Sequence, residues 1–156
     1  MDYFIQLLTA FGGSLGFSLV FNIRNRFRLF FAGLGGVISW GIYLIFFSLI
    51  GGEIISYFIA SVAFTFYAEV LARYYKTPAT LFLVSSAIPL IPGGSLYKTM
   101  SFAIGYEWSR FFQQGLLTLM LAAAIAVGIL FAMGLWNFVM KVISAVETSL
   151  KKEKSE

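Results

Sequence analysis

The sequence predicts an all-α integral membrane protein of about five transmembrane helices, the fourth broken between Pro89 and Gly94. Three observations carry this. The 156 residues are 60% hydrophobic and only 12% charged, against about 25% charged in an ordinary soluble domain. A globule of this length has too little interior to hide so much apolar surface, so its solvent must be lipid. The apolar residues fall into segments of roughly membrane-spanning length. Finally, the three prolines, Pro78, Pro89 and Pro92, sit within fifteen residues, two of them inside one of those segments.

The first segment, 3–21, follows no basic residues and runs past the length of a signal-peptide core, which reads as a retained span. The second is 29–50 and the third 54–75, separated by "GGE". The fourth, 79–104, follows "KTP", which suits a helix start with Thr77 as cap and Pro78 first in the helix. The fifth is about 111–138. Residues 1–140 thus read as one membrane domain. Residues 141–156 read as an amphipathic, then charged, tail, with Val139, Val142, Val146 and Leu150 at helical spacing before "KKEKSE".

Charge orients the spans. With the N-terminus outside, Arg24, Arg26, Arg28, Arg73, Lys76, Lys141, Lys151, Lys152 and Lys154 are cytoplasmic, leaving only Lys98 and Arg110 elsewhere. Asp2, Glu53 and Glu107 fall on the outer side. This agrees with the positive-inside rule. A re-entrant fourth segment would put the lysine-rich tail outside, so five crossings fit better. The same scatter of basic residues between apolar segments argues against a nucleic-acid face. With neither Cys nor His, the chain has no thiolate chemistry and no ordinary zinc, haem or iron–sulfur ligands. No metal or cofactor is expected, and no enzyme activity.

The break in "IPLIPGGSLYKTM", 88–100, is the leading candidate site. A proline inside a helix removes a hydrogen bond and clashes with the preceding turn, at about 3 kcal/mol. In hydrocarbon such a break survives where protein or a wet cavity covers it. A helix restarting at Gly94-Ser95 aims free N–H groups and its positive dipole end into the gap, with Lys98 one turn on. Pro92, Gly93, Gly94, Ser95, Tyr97 and Lys98 therefore suit a small carboxylate, as discontinuous transporter helices do. The plainer alternative is a packing kink with Lys98 reaching outward. Glu69 lies inside the third span, where a charge is costly, and Arg73 follows four residues on, on the same helix face. The two read either as an ion pair near the interface or as a charge tied to coupling, with Glu69 the leading proton carrier. Gln113 and Gln114 suit cross-helix bonding or a bland interfacial role. Gly12, Gly13 and Gly16 suit close helix contact, and "AAAIAVG" in the fifth span does so loosely. "SLYK" matches a Ser–Lys nucleophile pattern but lacks its companion motifs.

Residues 66–100, "FYAEVLARYYKTPATLFLVSSAIPLIPGGSLYKTM", resemble the signature region of the threonine/serine exporter family. The resemblance rests on E-x-x-A-R (Glu69 to Arg73), K-x-P-A-T (Lys76 to Thr80) and I-P-L-x-P-G-G-x-x-Y (Ile88 to Tyr97). In particular it looks like the short, separately encoded subunit that corresponds to the C-terminal membrane half of fused exporters. The resemblance implies a bacterial inner-membrane exporter of small hydrophilic metabolites, driven by an ion gradient. It implies a larger partner subunit, and as substrate an amino acid or a dicarboxylate such as succinate. A structural or assembly subunit with no substrate site of its own is the alternative.

Overall fold

The computed structural model describes residues 3–153, with side chains described through residue 145. Asp2 and the tail side chains Val146, Leu150, Lys151, Lys152 and Lys154 lie outside the described residues. Six α-helices run in the order α1 (Tyr3–Val20), α2 (Arg26–Ile50), α3 (Glu53–Tyr75), α4 (Ala79–Ala87), α5 (Gly93–Ile104) and α6 (Trp108–Glu153). A 3-10 turn, Ile88–Leu90, continues α4. No strand occurs among the described residues. Helices α1, α2, α3 and α6 are each long and apolar enough to cross a membrane, and α4 with its 3-10 turn pairs with α5 as a bent fifth span.

The bend between the two halves of that span is 51°. A re-entrant hairpin would nearly reverse the chain, whereas a bend of this size keeps it moving across. The two halves together supply about 36 Å of helix, enough for a hydrocarbon core of about 30 Å. The origin of the break is local. A residue before proline is driven out of the helical region by the proline ring. Ile91, before Pro92, obeys and is extended (φ −58°, ψ 122°). Ile88, before Pro89, stays helical (φ −50°, ψ −49°). Pro92 is thus the residue that breaks the span, while Pro89 is absorbed at the start of the 3-10 turn.

Three helices end in the same way, with a residue other than glycine in the left-handed conformation. Asn22, Lys76 and Tyr106 take left-handed φ values of 62°, 49° and 56°. Beside each, two backbone N–H groups bond back to the last turn, as in Thr77 N to Ala72 O at 2.9 Å and Lys76 N to Arg73 O at 3.3 Å. That closure occupies Thr77, so Pro78 rather than Thr77 is the cap of α4, and the Thr77 hydroxyl is buried without a partner. Helix α2 begins at Arg26, where the Asn25 side chain accepts from Phe27 N and Arg28 N. Helix α6 runs unbroken past residue 140. At 46 residues it is about 69 Å long, roughly twice the hydrocarbon thickness.

α2 packs against α1 on one side and α3 on the other, α3 packs on α6, and α5 rests on α6. α4 fills the groove between α2 and α3. One core surrounds Phe64, Leu90 and Leu121, and a second joins Ile23, Ala32, Ala68 and Phe82. The close approaches are made by glycines of α2 and α6. A Cβ on Gly36 would overlap the Ser14 hydroxyl, one on Gly35 the Ser86 hydroxyl, and one on Gly128 the Ser61 hydroxyl. The Gly12, Gly13 and Gly16 stripe of α1 meets nothing within 4 Å. Its spacing pointed to a helix contact that the chain makes elsewhere.

Candidate functional site

The break opens a cavity of about 440 Å³. Its walls are Pro89, Ile91, Pro92, Gly93, Gly94, Ser95 and Lys98 from the broken span, Trp40 from α2, Glu53 and Tyr57 from α3, and Gln114, Leu117 and Leu121 from α6. It lies in the half of the bundle where α2 passes to α3 and α5 to α6. Leu90, fully buried, seals the floor of the break against the core.

The chemistry of the walls follows from how α5 starts. The cap position is Pro92, and no side chain bonds the first turn. Gly93, not Gly94, is the first helical residue, and nothing stands within 4 Å of where a Cβ on either would lie. Gly93 N donates to Ile91 O, so the uncapped N–H groups at this wall are those of Gly94 and Ser95, an arrangement that favours anions. Lys98, one turn on, adds a full positive charge to the same wall. Across the cavity Glu53, in the first turn of α3, supplies a carboxylate. Neither is ion-paired within the chain: among the described residues the only salt bridge joins Arg110 and Glu107 at 2.7 Å.

A polar seam anchors α5 to α6 beside these charges. The Ser95 hydroxyl lies 2.8 Å from that of Thr118, and Gln114 Nε2 donates to Ser95 Oγ at 2.7 Å. Thr99 Oγ1 donates to Ser95 O at 2.9 Å and lies 3.2 Å from Thr118 Oγ1. Ser95 is therefore engaged by Thr118 and Gln114. A second cavity, of about 520 Å³, lies on the α1 side and is walled by Gln6, Thr9, Ala10, Gly13 and Ile88. It shares Trp40 and Pro89 with the first. The Trp40 indole donates to Gln6 Oε1 at 3.1 Å, tying this partition to α1.

Of the expected site residues, Pro92, Gly93, Gly94, Ser95 and Lys98 line one cavity. Tyr97 is not among its walls and is 75% exposed. Glu69 and Arg73 lie towards the other end of α3. They share a helix but form no ion pair, and the Arg73 guanidinium instead stands over the Trp136 ring, 5.4 Å from its centroid. Gln114 crosses to another helix, whereas Gln113 is exposed. Trp40, Tyr57, Thr99 and Thr118 escaped the sequence reading, and Glu53 appeared there only as a loop charge. The seam had a signal: Ser95 with Thr99, and Gln114 with Thr118, are polar pairs at i, i+4 in consecutive apolar segments.

A family model described as "Threonine/Serine exporter, ThrE" matches residues 6–134. The match takes in the broken span and every wall of the cavity. No curated protein and no solved structure matches the chain.

Proposed function

The chain belongs to the threonine/serine exporter family, and from that premise we propose that it carries a small amino acid through the cavity at its broken fourth span. One observation supports this above the rest: a lysine beside an uncapped helix start, and an unpaired glutamate, line the same space. A zwitterion fits such a site. Its carboxylate is held by the α5 N–H groups and Lys98, its ammonium by Glu53. A dicarboxylate such as succinate is disfavoured, because its second carboxylate would meet Glu53. The Ser95, Thr118 and Gln114 seam keeps α5 in register with α6 while the site is occupied.

Glu69 is the residue we assign to ion coupling. It is half-buried inside α3, unpaired among the described residues, and the chain has no histidine to carry a proton instead. We place the chain in a bacterial inner membrane with the N-terminus outside and residues 141–156 cytoplasmic. A larger subunit of the same family completes the exporter. The unfilled Gly12 and Gly16 face of α1 gives that subunit a surface for close packing, and also supports the reading in which the chain only scaffolds its partner.

Export measured in cells with and without the partner separates these readings. Threonine, serine and succinate are assayed together in the medium. Glu53→Gln and Lys98→Ala are each expected to cut amino acid export by about ten- to a hundredfold, the cost of leaving one charge of a pair unmatched. Normal export by both variants would remove the site and favour the scaffold.

A further inference from the structure

We propose that the cleft between the end of α3 and α6 binds the phosphodiester headgroup of an anionic phospholipid. The cleft is open, has a volume of about 640 Å³, and is walled by Arg73, Asn137, Met140, Lys141, Ser144 and Ala145. It lies at the opposite end of the bundle from the exporter cavity and does not depend on that reading.

Four observations converge on a lipid phosphate. The first is position. Arg73 lies two residues before the last residue of α3, and α6 continues past this point away from α3. The cleft is therefore where a long helix leaves the bundle, at headgroup depth for a span that ends at Tyr75. Trp136 is the kind of ring that sits at that depth.

The second is the form of the charge. Arg73 and Lys141 are both exposed and neither has a carboxylate partner among the described residues. Glu69, one turn before Arg73, neither pairs with it nor lines the cleft. The Arg73 guanidinium is held over Trp136, which fixes its plane, and a fixed guanidinium offers two parallel N–H groups to a phosphate.

The third is the supporting lining. The Asn137 carboxamide adds a hydrogen-bonding group to the same walls. The fourth is what surrounds the cleft. Val70 and Tyr74 on α3, and Phe138 and Val142 on α6, are exposed and apolar, a surface for the acyl chains that a free phosphate would not need. Basic pockets between transmembrane helices hold anionic headgroups by this combination of charge and depth.

Native mass spectrometry of the detergent-purified full chain tests the site. Phosphatidylglycerol, phosphatidylcholine and inorganic phosphate are added separately. Phosphatidylglycerol is expected to remain as a bound adduct, with phosphatidylcholine retained at least about tenfold more weakly, since only the first carries net charge. The double variant Arg73→Gln/Lys141→Gln should lose the adduct, and Arg110→Gln, at the far end, should keep it. Asn137→Leu fills the cleft without changing charge and serves if the double variant fails to fold; it too should lose the adduct. Equal retention of both lipids, full retention by the cleft variants, or equal occupancy by inorganic phosphate would each overturn the assignment.

Discussion

Ser95 and Thr118 meet hydroxyl to hydroxyl at 2.8 Å across the seam between α5 and α6. Thr118 Oγ1 also approaches Thr99 at 3.2 Å, so one side chain holds two positions of α5. Interhelical hydrogen bonds in membranes average about 0.6 kcal/mol. Thr118→Val, which keeps the shape and removes the oxygen, should therefore cost about 1 kcal/mol and lower the melting temperature in detergent by about 2–4 °C. Ser95→Ala should leave the protein folded and export weakened but present. Unchanged export in Ser95→Ala would end the nucleophilic reading of that serine.

The two glycine sets predict opposite outcomes. At Gly36 a Cβ would stand 2.7 Å from Ser14 Cβ and 3.0 Å from the Ala10 carbonyl oxygen, which is backbone and cannot rotate away. Gly36→Ala should destabilise by about 1–3 kcal/mol, the usual cost of overpacking. Gly12 has open space around it, and an alanine there gains about 0.5–1 kcal/mol of helix preference. Thermal unfolding of the two purified variants checks the contrast. A Gly36→Ala variant as stable as the parent would mean that α1 and α2 are not so closely apposed.

The same glycines mark the limit of what the sequence shows. Apolar length and the proline cluster were enough for the spans and the break, because both follow from the cost of exposing backbone in lipid. Spacing alone could not say which glycines meet a neighbour. Gly12 and Gly16 have the expected period, yet Gly33, Gly35 and Gly36 make the contacts, because α4 and α1 converge on α2. Helix starts were blurred by one to three residues at α2, α3 and α6, whereas the ends closed by Lys76 and Tyr106 fall where the apolar segments stop, and α1 ends one residue early before Asn22. Lys98 was legible as a charge beside the break. Its counterpart Glu53 was not, because only the fold brings the first turn of α3 to the cavity.

Pro92 and Pro89 should differ when replaced. Pro92→Ala restores an N–H donor and frees Ile91 to become helical, so the 51° bend should relax and the uncapped start of α5 should vanish. Export is expected to fall sharply while the protein still folds. Pro89→Ala lies where the chain is already helical and should leave both bend and export close to normal. Spin-label distances between α4 and α5 report the bend directly. An unchanged distance in Pro92→Ala would show that packing on α6, rather than the proline, sets it.

The chain has no cysteine, so single cysteines report sidedness without background. Thr80, in the first turn of α4, and Ser109, in the first turn of α6, flank the broken span and are both exposed. Five crossings put them on opposite sides of the membrane, whereas a re-entrant fourth segment puts them on the same side. The described basic residues decide which side is which. Arg24, Arg26, Arg28, Arg73, Lys76 and Lys141 gather towards the end that carries Thr80, against Lys98 and Arg110 towards the other, and positive charge is retained in the cytoplasm. An impermeant maleimide added to intact cells should therefore label Ser109→Cys, and reach Thr80→Cys only after the membrane is opened. Like behaviour of the two, both labelled from outside or neither, would make the bent pair a hairpin. Labelling of Thr80→Cys alone would keep five crossings but invert them, moving the Glu53 and Lys98 cavity to the cytoplasmic half, where it would have to receive substrate rather than release it.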